Sequence, residues 1–137
     1  MGTRRQFFVL ALAWSACARG APSLEERLIG KWQCEQREIV FDSRPPSPRQ
    51  TTWKGPCTME FFPNGTSVYV EDGVTERGRF TIVEKEHSLI ESVTESDVKE
   101  RVGSRARSIV TIAGSRLTLA YDPDSGGRRT TLTFIRK

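Results

Sequence analysis

Apolar and polar residues alternate with a period of two along most of the chain after residue 30, which is the pattern of strands with one buried face. Leu117, Leu119 and Tyr121 share one face of such a segment, and Leu132 and Phe134 share one face of another. No stretch holds a helical period for long. The alternation predicts eight strands, at about 31–41, 56–62, 66–71, 76–84, 87–95, 105–113, 116–122 and 128–136.

Short turn sequences separate these strands. Asn64-Gly65 and Asp72-Gly73 supply the positive φ that tight hairpin turns need, and Gly114-Ser115 and residues 122–127 mark two more turns. Strands joined by such short turns are antiparallel. Closure removes the two exposed edges of a meander, so the sequence predicts an all-β fold, a single antiparallel up-and-down meander of about eight strands closed into a small barrel.

The segment before the strands has the features of an export signal. Arg4 and Arg5 precede an apolar run from Phe7 to Ala16, which is too short to span a bilayer and is typical of a secretory signal. Ser23 is placed to cap at most one helical turn. We therefore expect an exported protein, periplasmic or extracellular, with a signal peptide at 1–18, a linker at 19–27 and a barrel domain at 28–137.

Two fates of Cys17 fit its surroundings. Cleavage after Ala18 would discard the thiol with the signal peptide. Alternatively, Leu12 to Cys17 resembles a bacterial lipobox, in which Cys17 would become the lipidated first residue of a lipoprotein anchored to the membrane by acyl chains. Both interpretations stay open at this point.

Cys34 and Cys57 are placed to form a disulfide. If the first two strands pair across a loop centred near Pro45-Pro46, Cys34 lies opposite Cys57, and the same register sets Trp32 opposite Met59. An oxidising compartment permits the bond. The alternative is a pair of buried, reduced thiols.

The charge pattern argues against nucleic acid as a partner. Two of the 21 Lys and Arg lie in the signal, so the rest of the chain carries a net charge of +2 rather than +4. Its basic residues alternate with acidic ones, as in Asp97 to Arg101, and do not form the basic face that nucleic acid requires.

The residues also favour a non-enzymatic protein without cofactor or metal. His87 is the single histidine and lies in a charged turn, and no nucleophile motif accompanies it. Glu35 and Glu38 fall on opposite faces of the first strand, so they do not form an acid–base pair. A metal site needs several ligands at suitable spacing, and the cysteines are better explained by a disulfide.

Gly30-Lys31-Trp32 at the first strand, the meander and Arg136 in the last strand together resemble the lipocalin-like (calycin) family, in particular its small bacterial domains. The resemblance implies that Gly30 and Trp32 begin the barrel, and that Arg136 packs over Trp32 at its closed end. The chain departs from typical members because it is short, has no helix after the last strand and lacks their Thr-Asp-Tyr motif.

An eight-stranded barrel is either filled by its side chains or holds one small ligand. The residues predicted to face inward are Met59, Phe61, Val68, Val70, Phe80, Ile82, Val110, Ile112, Leu117, Leu119, Tyr121, Leu132 and Phe134. From these we take as candidate ligand contacts Met59, Phe61, Val70, Phe80, Ile82, Leu119, Tyr121 and Phe134, with the Tyr121 hydroxyl placed to bind a head group. Trp53 is placed either to line the mouth or to cover the disulfide.

Two functional hypotheses follow. The first is an exported lipocalin-like protein that binds a small hydrophobic molecule in the cell envelope. The alternative is a protein-interaction module, such as an envelope protease inhibitor or assembly factor, with a packed barrel and no ligand. It would act through the Pro-rich loop at 42–51 or the polar segment at 95–107, on a protein partner that the sequence does not identify.

Overall fold

The computed structural model describes residues 20–41, 49–51, 53 and 55–137. The proposed signal peptide at 1–18, the proposed lipidation of Cys17 and most of the Pro-rich loop lie outside these residues.

The described chain is a meander of antiparallel strands preceded by one short helix. Two single-turn 3-10 helices, Glu84–Glu86 and Lys99–Arg101, lie in the connections that flank β6. The helix α1 is Leu24–Leu28, and the strands are β1 (Gly30–Phe41), β2 (Arg49–Thr51), β3 (Cys57–Phe61), β4 (Thr66–Glu71), β5 (Val74–Val83), β6 (Ser88–Ser96), β7 (Arg105–Ala113), β8 (Arg116–Tyr121) and β9 (Arg128–Arg136).

Strand β1 closes the sheet into a barrel because it pairs along both of its edges. One edge pairs with β3 near its start and with the short strand β2 near its end. The other edge pairs with β9, from Trp32 opposite Arg136 to Phe41 opposite Arg128. Every other strand pairs with its neighbour in sequence. The predicted all-β barrel of eight strands is therefore confirmed, and β2 is an addition to it.

Helix α1 closes one end of the barrel. The Ser23 side chain accepts a hydrogen bond from the Glu26 amide (3.1 Å), which caps this single turn as predicted. Leu24 and Leu28 point into the barrel and are buried. The fully buried Trp32 attaches the helix to β1, since its Nε1 donates a hydrogen bond to the Leu28 carbonyl (2.9 Å).

Arg136 covers the same end from outside. Its guanidinium carbon lies 4.0 Å from the centre of the Trp32 ring, and the guanidinium donates to the carbonyls of Ile29 (3.0 Å) and Arg27. Gly30 permits this approach, because a Cβ at that position would lie 2.7 Å from Arg136 Nη1 and the backbone there has φ +130°. Gly30, Trp32 and Arg136 thus make the contact that the family resemblance implies.

The half of the barrel next to α1 is filled by side chains. Phe61 and Phe80 meet edge to face with ring centres 5.1 Å apart. The buried apolar residues of the barrel strands are Trp32, Cys57, Met59, Phe61, Phe80, Leu89, Val110, Leu117, Leu119, Leu132 and Phe134.

A disulfide joins Cys34 of β1 to Cys57 of β3, with their Cα atoms 5.2 Å apart. Trp32 pairs with Met59, as the predicted register requires. The disulfide prediction is therefore confirmed. Among the described residues, no helix is long and apolar enough to cross a membrane.

Candidate ligand-binding site

A β-bulge in β1 changes which of its residues face the barrel interior. Up to Cys34, the even-numbered residues of β1 face inward and pair with inward residues of β9. The register then shifts between Cys34 and Gln36, after which Arg37 and Ile39 pair with Leu132 and Thr130. A bulge re-aims the side chains that follow it. It therefore turns the Arg37 side chain toward the cavity.

The turn between β3 and β4 contains three residues, Pro63 to Gly65. The Phe62 amide donates to the Thr66 carbonyl (2.9 Å), and Gly65 adopts φ +83°, as in a three-residue hairpin loop. Because the loop has an odd number of residues, Met59 pairs with Tyr69 rather than with an even-numbered residue of β4.

This register corrects the prediction for β4. Residues paired directly across two strands share a face, so Ser67, Tyr69 and Glu71 face inward with Phe61 and Met59. Val68 and Val70, predicted to face the interior, face outward. The error has a simple cause, since a shift of one residue moves every side chain of a strand to the other face.

The half of the barrel away from α1 contains a cavity of about 1000 Å³. Its floor is apolar and includes Met59, Leu132 and Phe134. Its walls are mainly polar and carry Arg37, Tyr69, Glu71, Glu76, Glu91 and Tyr121. The interior is therefore divided into a packed half and a hollow half.

The structure separates the candidate ligand contacts into three groups. Met59, Tyr121 and Phe134 line the cavity. Phe61, Phe80 and Leu119 are buried in the packed layer beneath it, and Ile82 packs against the same layer at the closed end. Val70 lies on the outer face. The predicted ligand contacts extended along the whole barrel, whereas only the half away from α1 is hollow.

Four side chains at the mouth form the first polar cluster, which comprises Arg37, Glu71, Trp53 and Tyr69. Arg37 forms an ion pair with Glu71 and lies 5.3 Å from the centre of the Trp53 ring. The Trp53 indole N–H donates to the same carboxylate (2.7 Å). Burial, with a smaller contribution from Glu71, raises the pKa of Tyr69 to about 12, so its hydroxyl stays protonated. Trp53 therefore contacts two residues of the cavity wall, Arg37 and Glu71.

The second polar cluster comprises Glu76, Arg101 and Ser96. Arg101 Nε donates to Glu76 Oε2 (3.0 Å), and the Ser96 hydroxyl donates to the same oxygen (3.1 Å). The hydrogen bond from Arg101 lowers the pKa of Glu76 and raises that of Arg101. This ion pair ties the connection between β6 and β7 to the cavity wall.

Glu91 and Tyr121 form the third polar group, deeper in the cavity. The Tyr121 hydroxyl donates to Glu91 Oε2 (3.0 Å). Burial is the main cause that raises the pKa of Glu91 to about 7. The hydrogen bond from Tyr121 lowers this pKa, and the nearby carboxylate of Glu76 raises it. Burial also raises the pKa of Tyr121. At neutral pH, Glu91 is therefore close to its midpoint between the acid and the carboxylate.

The sequence pattern did not predict the charged residues of this site, which include Arg37, Glu71, Glu76 and Glu91. The sequence did contain a signal that Glu91 faces inward. Leu89 and Glu91 lie two residues apart and so share a strand face, and the turn after Val83 pairs them with Ile82 and Phe80. Nothing in the sequence indicated the bulge that brings Arg37 inside.

The candidate catalytic features lie away from the cavity. His87 sits in the left-handed turn before β6, at the end of the barrel that α1 closes. Within the part of the chain that the structure describes, no group of three or more His, Cys, Asp or Glu residues is arranged to hold a metal ion.

Comparison with known proteins adds no relative. Neither a scan against protein-family models nor a search of curated proteins finds a match to this chain.

Proposed function

We propose that this protein is an exported lipocalin-like barrel that binds one small amphipathic molecule, without catalysing a reaction. The observation that carries the proposal is the cavity of about 1000 Å³, which has an apolar floor and a polar wall. Sites for small organic ligands are concave, largely apolar and supplied with a few well-placed polar groups, and they typically measure roughly 300–1000 Å³. The cavity combines these properties.

The geometry refines the expectation of a purely hydrophobic ligand. The apolar part of a ligand would rest on Met59, Leu132 and Phe134, which line the base of the cavity. Its polar part would then lie at the height of Glu91 and Tyr121, which are hydrogen bonded to each other. A molecule with an apolar body and one polar head group satisfies both surfaces.

Export is part of the same proposal. The Cys34–Cys57 disulfide suits an oxidising compartment such as the periplasm or the extracellular space. The intact mass of the protein purified from an envelope fraction tests this and also decides the fate of Cys17. Cleavage after Ala18 gives the mass of the unmodified remainder, and lipidation gives a chain that begins at Cys17 with added acyl groups. The mass of the whole chain, signal included, would contradict export.

Ligand binding can be tested with N-phenyl-1-naphthylamine, an apolar dye whose fluorescence rises when it leaves water. Thr130 lines the cavity, whereas Thr131 pairs with Glu38 and Ala120 on the outer face. Thr130→Trp should therefore occupy cavity volume and weaken dye binding at least tenfold. Thr131→Trp is the matched control, with the same change on the same strand, and should bind the dye as the unmodified protein does.

Absence of saturable dye binding, or equal weakening by both tryptophan variants, would contradict the proposal. That result would favour the protein-interaction module as the function of the barrel.

A further inference from the structure

Glu91 lies on the inner face of β6 at the boundary between the packed layer and the cavity. Its partners in the neighbouring strands are Phe80 of β5 and Ala106 of β7. Neither of these residues offers a charge or a side-chain hydrogen bond. Tyr121 supplies the hydrogen bond that one carboxylate oxygen receives, so the carboxylate faces the cavity with most of its hydrogen-bonding capacity unused.

Two arginines that line the cavity form ion pairs with carboxylates other than Glu91. Arg37 is paired with Glu71, and Arg101 is paired with Glu76. Glu91 has no ion-pair partner within the described residues, and the charged side chain acting on it most clearly is the carboxylate of Glu76 on β5.

Tyr69 of β4 and Arg101 act on the hydroxyl of Tyr121, which donates to Glu91. Arg105 of β7 also lines the cavity and is next in sequence to Ala106, the strand partner of Glu91. It forms no ion pair with Glu91, so this carboxylate lines the cavity without a cationic partner among the described residues.

We propose that the polar end of this cavity recognises a protonated amine, held by the Glu91 carboxylate together with the Tyr121 oxygen. The inference rests on the proposed binding function and specifies its ligand class, a cation on an apolar body. An ammonium group has three N–H donors and no acceptor, and these oxygens offer acceptors and one unpaired negative charge. A carboxylate head group placed beside Glu91 would instead meet a second negative charge.

Three molecules with the same ten-carbon chain test the inference, namely decylamine, 1-decanol and decanoate. Each is titrated into the protein by calorimetry and by displacement of N-phenyl-1-naphthylamine. We expect decylamine to bind at least tenfold more tightly than 1-decanol at pH 8, and decanoate to bind most weakly. The common chain keeps the apolar contribution equal, so the difference in affinity reports the head group.

Glu91→Gln identifies the residue responsible. It keeps the side-chain volume and the capacity to hydrogen bond with Tyr121, and it removes the charge. We expect it to bring decylamine to within about threefold of 1-decanol. Glu95→Gln, on the same strand with an exposed side chain 4.0 Å from Arg77, is the matched control and should keep the preference for the amine.

The pH dependence of the unmodified protein provides a second measurement that needs no variant. Decylamine stays protonated below pH 9, so its affinity should fall at least tenfold between pH 8 and pH 5 as Glu91 takes up its proton. The affinity for 1-decanol should stay constant over that range.

The outcomes separate this inference from the proposed function. If the dye and 1-decanol bind but decylamine binds no more tightly, or if Glu91→Gln leaves the amine preference intact, the inference is wrong and the binding function stands. If none of the probes binds, the proposed function is wrong and the inference is wrong with it.

Discussion

The contact between Arg136 and the closed end yields a stability prediction that follows directly from geometry. Arg136→Met keeps the length and much of the apolar surface of the side chain and removes the guanidinium. Three interactions are lost, namely the hydrogen bonds to the carbonyls of Ile29 and Arg27 and the cation–π contact with Trp32. The two carbonyls belong to the end of α1 and the link to β1, so the change acts on the attachment of the helix.

The magnitude can be worked from these contacts. A hydrogen bond from a charged donor contributes about 1.5–3 kcal/mol, and the solvent exposure of Arg136 places each bond at or below the lower end of that range. A cation–π contact at a site of this kind contributes about 0.5–1 kcal/mol. We therefore expect Arg136→Met to lower the free energy of unfolding by about 3 kcal/mol. For a domain of this size that corresponds to a decrease in Tm of roughly 12 °C.

Urea unfolding at pH 7, followed by circular dichroism, measures the change. Arg136→Lys should fall between the unmodified protein and Arg136→Met, because an ammonium lacks the planar fork that reaches two carbonyls at once. Arg116→Met is the control, since Arg116 makes an exposed ion pair with Glu35 (3.2 Å) and such pairs contribute less than about 1 kcal/mol. Equal losses for Arg136→Met and Arg116→Met would refute the reasoning.

Three further changes test other parts of the structure by the same unfolding measurement. The pKa of Glu91 rises from 4.5 to about 7 on folding, so the unfolded chain ionises first and stability is lost between these pH values. Glu91→Gln should therefore match the stability of the unmodified protein near pH 4 and exceed it by up to about 3 kcal/mol at pH 8. Equal stability at pH 8 would count against burial of the charge. Replacing Cys34 and Cys57 together by alanine opens a loop of 23 residues and should lower the free energy of unfolding by about 3 kcal/mol. Reducing agent should produce the same loss in the unmodified protein and should not change the stability of the variant. Gly78→Ala would place a Cβ 2.3 Å from a backbone carbonyl oxygen of β6 and should lower the free energy of unfolding by about 2 kcal/mol or more. The Cβ of Gly55→Ala makes ordinary contacts at 3.5 Å, so this change should lower it by less than about 1 kcal/mol. Similar values for the two variants would contradict the steric argument.

Much of the fold was predictable because it depends on local signals. Period-two alternation placed the eight barrel strands to within a few residues, and the short turns made them antiparallel. The disulfide followed from one hairpin register, whereas the contact between Trp32 and Arg136 was what the family resemblance implied. Each of these inferences needs only neighbouring residues or a single pairing.

The binding site was less predictable because it depends on which face each strand turns inward. Two local irregularities decided this, the bulge after Cys34 and the three-residue loop before Thr66. The first brought Arg37 inside, and the second placed Tyr69 inside and Val70 outside. Since side chains alternate with a period of two, one added residue reverses an entire strand face, and the sequence pattern alone did not specify that residue.

The sequence by itself determined the strand order, the all-β fold and the chemistry of the closed end. Only the tertiary structure decided that one half of the barrel is packed and the other hollow, and that Glu91 lies there without an ion-pair partner among the described residues. The physical reason is that cavity volume and the balance of buried charge depend on all eight strands at once, whereas each strand depends mainly on its own alternation.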